Sequence, residues 1–400
     1  MMVLLLTICI ALLNVNSSRL FNYQLALVEL LVIFSALAIY KKQFLSSFPV
    51  RSESFLLVLS LIFILFLSSA LSEHVKHGFE RSVAITIWLI YFWMVVFLLR
   101  YRYLKPVWLV WAIALSCLLP MLLLIVRYIE LEPVSYWQFT TRHLESYSHI
   151  RHIGYHAIAA LFFSLGFILV RRHKMRWSIF LLGFLLVIVN LSFMIWSGSR
   201  QGVLLFSLFG IALLLFYYRK SLYLAVPLLL LVISASLGLI YLLNIDAGIS
   251  VMLKKTLASS DLNRLLSGRV DIWKISWGFL DNHFLLGLGP DYFINTEFAI
   301  KRRLVQPHSV VIQSLLEIGI VGSLLLLALF SVVLKKAWAS IKTISPDSPY
   351  YPHSLVAFTL ILAYLLNSSI DGVFYHALPV YMFCMALALL VYRDTADYSE

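Results

Sequence analysis

The stretch Asn244–Gln306, NIDAGISVMLKKTLASSDLNRLLSGRVDIWKISWGFLDNHFLLGLGPDYFINTEFAIKRRLVQ, is the one long segment of mixed polarity in an otherwise apolar chain. On either side of it, apolar runs fall at about 1–13, 20–40, 55–71, 82–99, 106–126, 153–170, 177–195, 202–218, 221–243, 309–334, 353–367 and 374–392. They recur at helix-spanning length, for which a bilayer asks roughly 20 residues, and short polar turns separate them. Period-2 alternation, the mark of a membrane barrel, is absent. With 62% hydrophobic residues, 12% charged residues and a mean hydropathy of +0.93, the chain cannot be a water-soluble globule. The reading is an all-α polytopic integral membrane protein of about 12 transmembrane helices. Helices 1–9 occupy 1–243, a large loop containing short helices occupies 244–306, and helices 10–12 with the C-terminus occupy 307–400.

Twelve spans put both termini on one side, and the distribution of basic residues indicates which side that is. Sixteen Lys and Arg fall on the terminus side, Lys41, Lys42, Arg171, Arg172, Lys335 and Lys336 among them. The opposite short loops hold seven: Arg19, Lys76, Arg81, Arg127, Arg142, Arg151 and Arg200. Both termini are therefore expected in the cytoplasm and 244–306 outside. The long loop carries eight more basic residues against Asp246, Asp261, Asp271, Asp281, Asp291 and Glu297, so its exterior face suits an anionic partner, phosphate above all. Simple attraction to lipid headgroups is the blander reading of the same charge. The first run, 1–13, lacks a basic leader and a small-residue cleavage site and reads as a retained helix. Cys9, Cys117 and Cys384 all sit inside apolar runs, which makes them small core residues without disulfide or metal spacing.

Three cations stand at expected helix starts. In Trp196–Gly202 (W-S-G-S-R-Q-G), Ser199 suits the N-cap and Arg200 the first turn. An arginine there opposes the helix dipole unless an anion lies between it and the open N–H groups; a snorkelling interfacial arginine is the alternative. Arg269 follows Ser267-Gly268 and opens a helix expected over 269–281, with Ser267 near the N-cap. Arg269, Trp273, Trp277 and Leu280 share one face of it, which should lie on the membrane surface. Pro307 suits a first turn, which puts His308 at a third start. Together these charges match what a diphosphate leaving group needs.

His149, His152 and His156 fall on one helical face, a weak metal spacing without H-E-x-x-H; Arg142 and Arg151 can instead extend the basic patch. Asp371 is an exterior carboxylate without an evident role. Neither G-x-x-x-x-G-K-[ST] nor G-x-G-x-x-G occurs, so any donor must arrive already activated. The spans contain few charges and no paired Gly- or Pro-broken helices are evident, which argues against a transporter or flippase of lipid-linked saccharide.

W-S-G-S-R-Q-G at Trp196–Gly202, S-G-R-x-x-x-W at Ser267–Trp273 and Q-P-H-S-V-V-I-Q-S-L-L-E-I-G-I-V-G at Gln306–Gly322 resemble the O-antigen ligase and polymerase superfamily, most closely its ligases. R-x-x-G at Arg151–Gly154 adds a little in the first half. The chain departs from the pattern at Ser309, where the family has Asn, and at His283-Phe284, where it has a proline before G-x-G. The resemblance implies a C-type membrane glycosyltransferase of a Gram-negative inner membrane, active at the periplasmic face with no cofactor and no metal. Its donor would be an undecaprenyl-diphosphate-linked O-antigen and its acceptor the lipid A-core; a polymerase extending the glycan on the lipid carrier is the nearest alternative. Carried over, Arg200 and Arg269 hold the diphosphate and His308 orients or deprotonates the acceptor hydroxyl. Arg142, Arg151, Arg264, Trp273, Arg302 and Arg303 are the expected substrate-binding residues, in contact with membrane lipid and with no nucleic acid.

Overall fold

The computed structural model describes residues 52–131, 149–169, 177–218, 222–242, 267–281, 283–348 and 350–392, together with 30, 33–35, 37–45, 144, 147 and 263. No strand occurs among the described residues. The helices are α1 (Glu53–Leu71), α2 (Val75–Arg100), α3 (Pro106–Leu115), α4 (Leu118–Glu130), α5 (Ile150–Leu169), α6 (Trp177–Trp196), α7 (Arg200–Leu205), α8 (Ile211–Tyr217) and α9 (Leu222–Leu242). They continue as α10 (Arg269–Gly278), α11 (Glu297–Arg302), α12 (Val310–Thr343), α13 (Tyr351–Ile370) and α14 (Ala377–Val391). Among the described residues, eight spans are long and apolar enough to cross a membrane, and two shorter apolar helices, Leu229–Tyr241 and Ala377–Val391, join them. Ten of the expected runs thus coincide with helices. Run 1–13 lies outside the described residues, and 20–40 is described only in part.

Helix α5 is the axis of the bundle. Nearly all of it is buried, and α3, α6, α13 and α14 pack around it. Gly154, Ala157, Ala159, Ala160, Ser164 and Gly166 keep its surface low enough for this close approach, the usual device of helices that cannot rely on water to drive them together. At the periphery, Phe63, Leu181 and Phe216 are each more than half exposed. In spans of this apolarity such faces are solvated by acyl chains.

One membrane helix is broken by glycine, without a matching break to pair with it among the described residues. Gly319 adopts φ 64°, ψ −169° inside α12, nine residues after its first, a conformation an L residue rarely takes. The backbone groups freed there pair with the loop 284–289: Ile320 N–H donates to Phe284 O (2.8 Å), and Leu288 N–H donates to Leu316 O (2.6 Å). Ser68 Oγ from α1 lies 2.6 Å from Glu317 O and 2.8 Å from Leu286 O. Irregular backbone is tolerated within an apolar span only when protein groups satisfy it in this way. The break docks the loop 284–289 onto α1 and α12, and α10 and α11 pack against the first part of α12.

Candidate active site

Five elements deliver one side chain each to a single cluster. Arg151 comes from the first turn of α5, Gln201 from α7, Arg269 from the first residue of α10, His308 from just before α12, and Asp371 from the C-cap of α13. Asp371 is fully buried and is the hub. Its Oδ2 lies 3.1 Å from Arg269 Nη2 and its Oδ1 3.2 Å from His308 Nδ1; Gly372 N–H also donates to Oδ1 (2.9 Å), and Arg151 Nη1 stands 4.0 Å away. The Gln201 amide satisfies its neighbours only with its oxygen accepting from Arg269 Nη1 (2.7 Å) and its nitrogen donating to Asp371 Oδ2 (2.5 Å). Burial pushes the Asp371 carboxyl up, but the His308 hydrogen bond and the Arg269 and Arg151 charges outweigh it and hold the group below the usual carboxylate range. It is a carboxylate.

His308 itself is held in the left-handed region, φ 57°, a conformation histidine tolerates better than most and that commonly marks a constrained site. Ser309 is the N-cap of α12, its hydroxyl facing Ile312 N–H at 3.5 Å, and the carbonyl of Pro307 accepts from Trp273 Nε1 at 3.0 Å. Pro307 therefore lies outside the helix rather than in its first turn, and His308 precedes the cap. Burial, with Arg151 and Arg269 nearby, lowers the affinity of the imidazole for a proton against the opposing pull of Asp371. The ring is neutral at pH 7. Since a carboxylate only accepts, Nδ1 carries the hydrogen and Nε2 keeps a lone pair. Arg151 Nη1 lies 3.4 Å from Nδ1 and 3.5 Å from Nε2; near-equal distances put it off the lone-pair direction of either nitrogen.

Arg200 joins through the loop. Ser199 caps α7, its Oγ accepting from Gly202 N–H at 3.1 Å, and Arg200 Nη2 donates to Ser267 Oγ at 3.0 Å. Ser267 is thus a partner of Arg200, while the N-cap of α10 is Gly268 at φ 79° with no side-chain cap. α10 ends at Gly278, and its buried face is Arg269, Ile272 and Ser276, with Leu280 just beyond; Trp277 points outward, 53% exposed. The expected face of Arg269, Trp273, Trp277 and Leu280 is corrected accordingly, because Arg269 is turned inward by Asp371. Three guanidiniums and one carboxylate leave the cluster with a net positive charge suited to an anion.

Arg302 lies over the Phe298 ring (5.5 Å) and Arg303 closes α11 with φ 53°; both are exposed, and neither shares a hydrogen bond or ion pair with the cluster. Arg142 and Arg264 lie outside the described residues. Of the histidine face, His149 Nδ1 accepts from Arg151 N–H (3.1 Å), and the His152 ring sits 4.2 Å from that of His376. His156 is buried with Ser116 on one ring nitrogen (2.6 Å) and Tyr147 on the other (2.8 Å). The three do not converge, and no group of three metal-ligating side chains gathers among the described residues.

Residues 186–327 match the family model described as O-Antigen ligase. No curated protein matches the chain. The matched stretch includes Arg200, Gln201, Arg269 and His308; Arg151 and Asp371 lie beyond its two ends.

Proposed function

We propose that the protein, whose residues 186–327 match the O-Antigen ligase family model, transfers an O-antigen glycan from undecaprenyl diphosphate to lipid A-core, without metal, at the periplasmic face of an inner membrane. One observation carries the reading: a neutral imidazole with an open Nε2, oriented by a buried carboxylate, lies among three guanidiniums at the helix starts of one bundle end. The acceptor hydroxyl gives its proton to His308 Nε2 as its oxygen forms a bond to the anomeric carbon of the donor. The bond from that carbon to the diphosphate oxygen breaks, and the electron pair leaves with the diphosphate. Arg200 and Arg151 stabilise the departing charge by charge-assisted hydrogen bonds, the interaction worth most where water is scarce. Arg269 acts differently from the expectation that it grips the diphosphate alongside Arg200. Bound to Asp371, it serves first as the counterion that keeps the carboxylate ionised.

The test is transfer by the purified protein supplied with lipid-linked glycan and lipid A-core, in chelator and without nucleotide. Glycan should appear on the core, and Arg200→Ala and His308→Ala should each lower the rate at least about 100-fold. Glycan lengthened only on its lipid carrier would identify a polymerase instead. Unchanged transfer by both variants would refute the site.

A further inference from the structure

We infer that Arg81 is a positioning residue for Asp371: from α2, its guanidinium grips the backbone of the turn 371–376 and so fixes the carboxylate that orients His308. The inference rests on the reading of His308 as the acceptor base. Arg81 occupies the second turn of α2, where an arginine would ordinarily extend its head to the interface, yet it is 5% exposed. Its Nη2 donates to Tyr375 O at 2.9 Å and approaches Phe374 O at 3.5 Å. The planar head lies between two aromatic rings, 5.0 Å from the centroid of Trp88 and 4.6 Å from that of Tyr375. No described carboxylate forms an ion pair with it, and its Nε is buried without a partner.

A guanidinium withdrawn from water toward backbone carbonyls is costly, so the group should be doing something a hydrophobic residue cannot. What it holds is the short 3-10 turn Val373–Tyr375, directly after Asp371. On the other side of the same turn, Gln306 Nε2 lies 3.5 Å from Gly372 O and 3.3 Å from His376 Nε2. The six residues Asp371–His376 are thus pinned between α2 and the strand of chain that leads into His308. A shift of the Tyr375 carbonyl has only four residues over which to dissipate before it reaches Asp371. Lysine in place of Arg81 would keep the charge but lose the flat, forked contact.

The groups facing His308 are Arg151 and His149 from the start of α5, Arg269 from α10, and Asp371 and His376 from the turn itself. Arg81 is not among them, although its charge acts on His376, so the charge-keeping lysine variant is the one that alters the titration of His308 by moving the turn alone. The experiment compares the full-length protein with Arg81→Lys and Arg81→Met. Carbethoxylation of His308 by diethyl pyrocarbonate is followed across pH by peptide mass spectrometry, since only the neutral imidazole reacts. A loosened turn withdraws Asp371, and the His308 midpoint should move to lower pH by about half a unit or more in both variants, the charge-keeping lysine included. Their kcat should fall about tenfold while KM for the donor stays within about twofold. If only one variant folds, it alone decides. A midpoint and kcat equal to those of the unaltered protein would overturn the inference, as would failure of both variants to fold, which would make Arg81 a residue of the fold alone. The titration needs no transfer, so a protein that moves no glycan refutes the proposed function and still leaves Arg81 to be judged on the midpoint.

Discussion

Asp371 Oδ1 lies 3.2 Å from His308 Nδ1 across 63 residues of chain, while the other oxygen of the same carboxylate lies 3.1 Å from Arg269. One buried anion therefore does two things. It selects the imidazole tautomer that leaves Nε2 open, and it turns inward a guanidinium that would otherwise face water. Asp371→Asn removes the charge while keeping the shape. Turnover should fall about 100-fold or more, because the amide no longer favours the charged imidazole that forms during reaction. The variant should also unfold at lower temperature, since Arg269 is left buried beside a neutral group. Transfer rates and a melting curve on the same preparation check both parts.

Arg200 and Arg269, alike in sequence, should separate on substitution. Removing one partner of a buried ion pair costs about 3–5 kcal/mol, whereas an exposed polar contact such as Arg200 to Ser267 is worth about 1 kcal/mol or less. Arg269→Ala should therefore lose stability and turnover together. Arg200→Ala should melt close to the unaltered protein and lose transfer with a raised donor KM. Equal melting losses for the two would contradict the assignment of Arg269 as counterion.

How far the site was legible follows from these residues. Arg200 and His308 are visible in sequence because each follows a local signal, a capping serine or a proline at a helix start, and local signals survive without knowledge of packing. Asp371 shows only as an exterior carboxylate: its role depends on contacts spanning from Arg151 to Asp371, which no periodicity encodes. Gln201 stood in the quoted motif without a role for the same reason. The inward turn of Arg269 corrects the expected face of α10: the pattern puts Arg269 and the tryptophans together on a membrane-surface face, while the buried Asp371 draws Arg269 inward and Trp277 points outward. The break at Gly319 was missed because G-I-V-G reads as ordinary apolar helix. Only the partner loop, 284–289, shows that the backbone is satisfied elsewhere. A single break of this kind is not the matched pair that a transporter's repeats would show, so the sequence argument against a transporter stands.

Acid should destabilise the protein in two stages. Burial, with Arg151 beside it, lowers the His149 imidazole from 6.5 to about 4. A histidine lowered in the fold binds protons first in the unfolded chain, so stability falls as pH drops from about 6.5 towards 4 and levels below that. Asp371, held below its usual range, adds stability above about 4 that is lost as pH falls further. Melting temperature measured from pH 8 to pH 4 should decline below about 6.5, and His149→Asn should flatten that decline. A variant with an unchanged slope would show that His149 does not titrate as its surroundings require.

Gly154 offers a test of how the α7 start is held. A Cβ there would lie 2.1 Å from Ser199 Oγ and 2.6 Å from Ser199 Cβ, with Ser199 Cα at 3.9 Å the next atom. Gly154→Ala must therefore displace the residue that caps α7 and precedes Arg200. The lost cap alone costs about 1 kcal/mol, the amount Ser199→Ala should show by itself with modest effect on transfer. Gly154→Ala should do more: by moving Arg200 away from Ser267 it should lower transfer about tenfold or more through the donor KM. Ser199→Gly clears both clashing atoms and, as a cap, costs only a few tenths of a kcal/mol. The pair Gly154→Ala with Ser199→Gly should accordingly recover most of the transfer lost by Gly154→Ala. A double variant no better than the single one would mean that Gly154 acts on something other than the cap, and the coupling between α5 and Arg200 would have to be abandoned.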